Sequence, residues 1–439
     1  MVIVFVLVAL LALAVLVAAN WYVWRRLFRD TTERPGPVRR AGAVLVAGGW
    51  VLAVGALVAE RAGAPFPLQQ VLAWPGFLWL ALSVYLLLAL LAGEAVRPLL
   101  RRLPERRAGV AEPRPQPESV TVPEPSRPQP DPVAVPEPQP SASGSQPSEP
   151  GEPAPSAPDE PAPPAPSRRL FVSRVVAGAA AAAAVGTVGA GTYGVLRGPS
   201  VKRVTVPLAK LPRAAHGYRI AVVSDIHLGP VLGRGFAEKV VDTINATQPD
   251  LIAVVGDLVD GSVKDLGPAA APLARLKARH GSYFVTGNHE YFSGAEQWVA
   301  EVRHLGLRPL ENARTELPWF DLAGVNDVQG ESEGHGPDFA RALGDRDTTR
   351  ACVLLAHQPV QIHEAVRHGV DLQLSGHTHG GQLWPGSLLA ELANPTVAGL
   401  ERYGDTQLYV SRGAGAWGPP TRVGAPSDIT VIELAARGA

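Results

Sequence analysis

Residues 218–227 have the sequence YRIAVVSDIH, a short run of mainly aliphatic side chains followed directly by a polar cluster. An apolar run of this length is typical of a strand that is buried on both faces. Amphipathic stretches such as Phe236 to Ile244 alternate with several runs of this kind, which predicts a layered α/β fold. Four more stretches repeat the pattern: LIAVVGDLVD at 251–260, YFVTGNHE at 283–290, CVLLAHQP at 352–359 and LQLSGHTHGG at 372–381.

The polar clusters follow the predicted strands, at the edge where open α/β sheets collect ligand sites. Each cluster alone is weak evidence, because an Asp after a strand is often only a helix cap. Their ordered recurrence predicts a site. The chain has one cysteine, so a metal ion would be held by His, Asp, Glu or Asn. Five of the eleven histidines lie in the clusters: His227, His289, His357, His377 and His379.

Oxygen and imidazole ligands without thiolate suit Mn²⁺, Fe or Zn²⁺ in a hydrolytic site. Two such ions about 3.5 to 4 Å apart can clamp a phosphoryl group and lower the pKa of a shared water to near neutrality. This chemistry needs one carboxylate between the ions and about three further ligands for each ion. The clusters contain that number of ligand groups.

In order and form, the five clusters resemble the motifs of the calcineurin-like metallophosphoesterase superfamily. The Gly-Asn-His-Glu and Gly-His-Thr-His-Gly-Gly-Gln forms are similar to those of its bacterial membrane-linked branch, which includes exported phosphodiesterases and UDP-2,3-diacylglucosamine pyrophosphatases. The resemblance covers about residues 218–434. It implies a layered β-sandwich flanked by helices, with two divalent metal ions as cofactors, and it leaves the substrate open.

The resemblance also implies a role for each matching residue. His289 would neutralise or protonate the leaving oxygen, and Asp260 would orient His289. Asp257 would lie between the two metal ions. One ion would be held by Asp225, His227 and His379, and the other by Asn288, His357 and His377.

Three apolar stretches precede this region, at Met1 to Trp24, Ala41 to Ala59 and about Val71 to Val96. Each is long enough to cross a bilayer, so residues 1–100 are predicted to form a three-helix transmembrane region. A cleaved secretory signal is the alternative for the first stretch, but no basic segment precedes it. Arginines crowd the first connection and follow the third stretch, whereas the second connection holds only Arg61. The positive-inside rule therefore places the N-terminus outside and the chain after the third stretch in the cytoplasm.

Residues 101–167 are rich in Pro, Glu, Ser and Ala, which predicts a disordered linker. Arg168 and Arg169 follow, and then a weakly apolar stretch from Val175 to Leu196. Residues 168–198 resemble a twin-arginine signal, which would engage the twin-arginine export machinery, and a fourth transmembrane helix is the alternative. Either interpretation predicts a multi-pass protein of the cell membrane whose domain at 201–439 lies outside the cytoplasm.

Forty Lys and Arg residues balance forty Asp and Glu residues, so no basic field exists to scaffold nucleic acid. We expect a membrane-tethered hydrolase of phosphate ester or pyrophosphate bonds, acting on a lipid-linked or phosphodiester substrate. Hydrolysis of soluble nucleotides and a membrane-anchored binding or sensing module without turnover are the alternatives. Arg422 could contact phosphate or be solvated. The apolar loop from Gln382 to Pro395 could pack on the sheet or receive an acyl or prenyl chain.

Overall fold

The computed structural model describes residues 2–102 and 168–436. The predicted linker at 101–167 lies outside the described residues, apart from its first two positions. Of the described helices, four are long and apolar enough to cross a membrane, judged by length and composition. They are α1 (Val2–Trp24), α2 (Pro37–Arg61), α3 (Phe66–Arg102) and α4 (Arg168–Leu196).

Small residues allow these helices to pack closely. A side chain at Gly49 of α2 would collide with the ring of Trp79 on α3, and one at Gly93 of α3 would come within 2.6 Å of Val176 on α4. At one end of the bundle, Arg26 pairs with Glu94 at 3.0 Å. The first connection and the C-terminal part of α3 therefore lie together.

The remaining chain forms two six-stranded sheets. Strands β2 to β5 are mutually parallel, as are β7, β8, β9 and β11. The first sheet has the order β1 (Ser200–Leu208), β12 (Asp428–Ala436), β2 (Tyr218–Val223), β3 (Leu251–Val255), β4 (Ser282–Val285), β5 (Arg308–Pro309). The second has the order β10 (Gly399–Tyr403), β11 (Thr406–Val410), β9 (Leu372–Ser375), β8 (Ala351–Leu355), β7 (Phe320–Gly324), β6 (Ala313–Glu316). All five predicted strands are present, and each covers the apolar part of its stretch.

The two sheets face each other across one apolar layer, to which Ile220, Phe320 and Tyr409 contribute. The outer face of the first sheet is covered by α5 (Arg234–Ala246), α6 (Val263–Ala270) and α8 (Ala295–His304). That of the second is covered by α9 (Phe339–Leu343) and α10 (Ile362–Arg367). Two further helices, α7 (Asn288–Ser293) and α11 (Gly386–Ala393), begin in loops that follow β4 and β9. The structure confirms the predicted β-sandwich flanked by helices and preceded by apolar helices.

Candidate metal centre

The loops after β2, β3, β4, β8 and β9 bring together every residue predicted to bind metal. Three groups of His and Asp side chains have ligand atoms within 4.8 Å of one another, and one of them is His227, Asp260 and His289. The other two groups consist only of predicted ligands: Asp225, His227 and His379, and Asp257, His357 and His377. Asn288 joins the group that contains Asp257, since its Oδ1 lies 2.9 Å from His377 Nδ1. These two groups are the two ligand sets that the motifs imply.

Asp257 lies between the groups. Its Oδ2 is 3.1 Å from His357 Nε2 and 3.8 Å from His227 Nε2. Burial alone would raise the pKa of Asp257, but the nearby imidazole of His357 holds that pKa well below its usual range. The carboxylate is therefore charged at neutral pH and is placed to serve both groups.

The hydrogen bonding of His357 indicates that these residues fit a metal ion. His357 is fully buried, its Nδ1 donates to the carbonyl of Val255 at 2.8 Å, and its Nε2 lacks hydrogen-bond geometry to any group, including Asp257 Oδ2 at 3.1 Å. A buried polar atom without a partner is costly, and a ligating histidine characteristically uses its other nitrogen to bond a carbonyl. His357 Nε2 is thus oriented as a metal ligand would be.

The backbone of the site is strained. Among the described residues, eight other than glycine have a positive φ, and five of these are predicted ligands: Asp225, His227, Asp257, His377 and His379. Such conformations cost of order 1 to 3 kcal/mol each and persist where the surroundings over-determine them. Their concentration in one place is typical of a functional site.

Close backbone approach explains two glycines of the motifs. A Cβ at Gly287 would collide with the Asp257 carboxylate, and one at Gly376 would collide with the Asp225 carboxylate. The backbone N–H of His377 can then donate to Asp225 Oδ1 at 3.0 Å. Any larger residue at these two positions would displace a predicted ligand.

Glu290, the last residue of the Gly-Asn-His-Glu motif, holds the backbone of the site through hydrogen bonds. This role was not predicted. Its carboxylate is fully buried and accepts the backbone N–H groups of Asp257 at 3.0 Å, Leu258 at 2.8 Å and Gly287 at 2.6 Å. Burial, followed by the charge of Asp257, raises the pKa of Glu290 to about 7. Glu290 therefore fixes the loop that carries Asp257.

His289 and Asp260 form the pair that the motifs imply, at 2.7 Å between Nδ1 and Oδ1. The same Asp260 oxygen also lies 2.8 Å from His227 Nδ1, so Asp260 orients two imidazoles. Burial would lower the pKa of His289, but the hydrogen bond and charge of Asp260 raise it to about 9. Burial likewise opposes a low pKa for Asp260, and the charge of His227 nevertheless lowers it to about 2. His289 is therefore a protonated acid at neutral pH.

Arg422 is buried, so the expectation that it is solvated is wrong, whereas its contact with phosphate stays a prediction. It is 6% exposed, and its Nη1 donates to the carbonyls of His379 at 3.0 Å and Ala425 at 3.1 Å. Its Nη2 lies 3.0 Å from His379 Nδ1. Burial and the positive charges of His227 and Arg422 hold the pKa of His379 well below its usual range. Arg422 thus keeps His379 neutral and in place.

The loop from 382 to 395 does not pack on the sheet, so that alternative is wrong. It contains α11, whose leucines at 388, 389 and 392 are exposed. Its first apolar residue, Leu383, packs instead against a cluster built by α3 and α4.

Comparisons with known proteins agree with this geometry. Residues 218–381 match the family described as calcineurin-like phosphoesterase. The chain is 40% identical over 250 residues to a Danio rerio protein named "Transmembrane protein with metallophosphoesterase domain", covering 54% of this chain and 57% of that protein. It is 38% identical over 247 residues to an uncharacterized metallophosphoesterase of Helicobacter pylori strain J99, covering 56% and 66%. The chain thus spans little more than half the length of the animal relative.

An uncharacterized metallophosphoesterase of Aquifex aeolicus is 35% identical over 243 residues, which are 54% of this chain and 92% of that protein. That relative is therefore matched over nearly its whole length. The superfamily predicted from the motifs is confirmed: this chain belongs to the calcineurin-like phosphoesterase family of metal-dependent phosphoesterases.

Proposed function

We propose that this chain hydrolyses phosphate ester or pyrophosphate bonds at a centre of two divalent metal ions. The position of Asp257 Oδ2, between His357 Nε2 at 3.1 Å and His227 Nε2 at 3.8 Å, carries the proposal. When bound, the ions would lower the pKa of water and neutralise charge on the phosphoryl oxygens.

The chain's own residues would hold the ions and move one proton. Asp257 would contact both ions. His289 would donate the proton on its Nε2 to the leaving oxygen, because Nδ1 is engaged with Asp260. The remaining ligands would be Asp225, His227 and His379 for one ion, and Asn288, His357 and His377 for the other. A binding module without turnover would have no need for a complete ligand set and a protonated acid beside it.

The substrate would be a membrane lipid that carries a phosphodiester or pyrophosphate. Four helices that could span a membrane support this choice, since they would confine the centre near a bilayer. Membership of the exported phosphodiesterase or UDP-2,3-diacylglucosamine pyrophosphatase-like branch would suit the same substrate class. A soluble nucleotide is the competing substrate.

Full-length protein in detergent tests the activity. We expect Mn²⁺-dependent hydrolysis of a lipid phosphodiester or lipid pyrophosphate, loss of turnover with a chelator, and two ions per chain by elemental analysis. Absence of turnover with Mn²⁺, Fe²⁺ and Zn²⁺ on a phosphomonoester, a phosphodiester and a lipid pyrophosphate would contradict the proposal. Faster hydrolysis of a soluble nucleotide than of either lipid would indicate that the substrate is a nucleotide rather than a lipid.

The domain that begins near residue 200 would lie outside the cytoplasm. The arginine distribution supports this topology, and so does the contact of Arg174, early in α4, with the carbonyl of Thr31 in the first connection at 3.0 Å. A reporter fused after Ala439 that is active only outside the cytoplasm should report export. A cytoplasmic signal would overturn the topology. If Arg168→Lys with Arg169→Lys leaves export unchanged, α4 is an ordinary membrane helix rather than a twin-arginine signal.

A further inference from the structure

A cavity of about 420 Å³ lies between the end of α2 and the metal centre. Leu57, Glu60 and Arg61 of α2 form one wall, and Asp260 and His289 form part of the other. None of the seven predicted metal ligands lines it. The cavity is therefore adjacent to the proposed proton donor but separate from the ions, and its volume lies within the range of small-molecule sites.

Large apolar side chains surround the proton donor in this cavity. The rings of Phe292 and Trp417 lie 5.5 and 5.7 Å from the His289 ring, between centroids, and are 54% and 45% exposed. Trp417 is held through its backbone, since its N–H donates to Gln382 Oε1 at 3.0 Å and its carbonyl accepts from Gln382 Nε2 at 2.9 Å. Adjacent exposed aromatic rings are typical of a surface that binds an apolar partner.

The membrane helix adds a cation and an apolar residue to the same wall. The Arg61 guanidinium lies 5.5 Å from the centre of the Phe292 ring, in cation–π geometry. Leu57 is one turn earlier in α2, within the candidate span Pro37–Arg61, and is 40% exposed. The α2 wall thus presents charged groups at the end of the helix, at Glu60 and Arg61, and an apolar side chain one turn earlier, at Leu57.

We propose that this cavity binds the leaving group of an amphiphilic phosphate ester or pyrophosphate. Its polar part would lie beside Arg61, and its apolar chain would run along Leu57 into the bilayer. The inference rests on the proposed function, because a donor at His289 requires the leaving group to lie on the side of His289. A nucleoside could stack on the same rings, but it would gain nothing from Leu57.

Thiol alkylation tests binding without depending on turnover. Cys352 is buried, so a cysteine introduced at Phe292 would be the accessible thiol among the described residues. In the full-length Phe292→Cys protein with Mn²⁺, farnesyl diphosphate at about ten times its Kd should slow alkylation by roughly tenfold. Val201→Cys, at a 42% exposed position in β1, is the matched control and should be unaffected. Equal protection by AMP, or no protection by the lipid, would overturn the inference.

Kinetics separate this inference from the proposed function. Arg61→Ala and Leu57→Ser should lower kcat/KM for farnesyl diphosphate by roughly tenfold more than for bis(p-nitrophenyl) phosphate, because only the lipid reaches α2. Val58→Ser, at a 58% exposed neighbour outside the cavity, is the control. Equal losses on both substrates would overturn the inference and leave the phosphoesterase proposal intact. A wild-type protein that hydrolyses neither substrate would overturn the proposed function. The alkylation experiment would then still show whether the cavity binds the lipid.

A second surface carries an independent inference. The apolar arm, which we define as residues 383–393, exposes Trp384 at 55%, Leu388 at 59%, Leu389 at 71% and Leu392 at 85%. Yet the arm begins at the membrane helices, because the Tyr85 hydroxyl of α3 donates to the Trp384 carbonyl at 3.0 Å. Tyr85 lies within a candidate span, so the arm emerges at the depth of the bilayer.

We infer that the arm inserts its leucines into the lipid beside α3. Burying each leucine in hydrocarbon is favourable, whereas leaving three exposed to water is costly. In nanodiscs, an environment-sensitive fluorophore on Leu392→Cys should show a blue-shifted emission and lose intensity with doxyl-labelled lipid. The same fluorophore on Val201→Cys is the control. Quenching of the Leu392→Cys label by aqueous iodide, but not by doxyl lipid, would overturn this inference.

Discussion

Replacing His289 by Asn tests the proton donor while leaving the metal ligands in place. The backbone N–H of His289 donates to Asp257 Oδ1 at 2.9 Å, and this bond does not depend on the side chain. The imidazole itself contacts Asp260 at 2.7 Å and packs edge-on against the ring of His227, 4.7 Å away between centroids, but it belongs to neither of the implied ligand sets. His289→Asn should therefore retain two metal ions and lose the acid.

The expected loss depends on the leaving group. A lost general acid costs roughly 10² to 10⁴ in kcat, or about 2.7 to 5.4 kcal/mol of barrier, when the leaving group is an alkoxide. For p-nitrophenolate, which leaves without a proton, the loss should be less than about tenfold. Because the pKa of His289 is raised to about 9, the acid is present below that pH. Wild-type turnover of the alkyl ester should fall as the pH rises through about 9, and the variant should lack this decrease.

The assay compares kcat for an alkyl and a p-nitrophenyl phosphodiester, with elemental analysis of each protein. His304→Asn, at an exposed position of α8, is the matched control. Equal losses on the two substrates would refute the acid role. Loss of a metal ion from the His289→Asn protein would indicate that His289 is a metal ligand instead.

Three other substitutions test the support of the centre. Asp257→Asn should lose more activity than His289→Asn and bind fewer than two ions, because both ligand groups depend on it; near-normal turnover would contradict this. Glu290→Gln should lower the free energy of unfolding by about 1 to 3 kcal/mol, measured by denaturant titration, since an amide N–H₂ would face N–H donors. The exposed Glu296→Gln is its control, and equal stabilities would be the contrary result. Arg422→Met should weaken metal affinity by roughly 10- to 100-fold in a chelator competition, whereas unchanged affinity would leave Arg422 a purely structural residue.

Strand positions were predictable because their signal is local. Residues 251–255 are an uninterrupted apolar run and residues 218–223 are apolar except for Arg219, and the structure has strands with these bounds. The ligand clusters were recognisable for the same reason, since each one follows its strand within a few residues. The roles of the ligands stay predictions that the substitutions above test.

The supports of the site were not predictable because they depend on contacts distant in sequence. Arg422 reaches His379 only because β12 and the loop before it return to the first sheet. Glu290 looks like an ordinary helix-start carboxylate, and its bonds to the 257–258 backbone require β3 and β4 to be paired. The cavity wall at Arg61 forms only because α2 packs against the phosphoesterase domain. No hydrophobic periodicity in the sequence indicates this contact.

The ligand pairs of the centre cross from one sheet to the other. Asp257 faces His357 at 3.1 Å, His227 faces His379 at 3.0 Å, and Asn288 faces His377 at 2.9 Å. In each pair the first residue follows a strand of the first sheet and the second follows a strand of the second sheet. A pair of ions held by these residues would therefore join the two halves of the sandwich at their strand ends. Because the apolar layer already fixes the two sheets, it can hold the ligand loops in left-handed conformations that no isolated loop would keep.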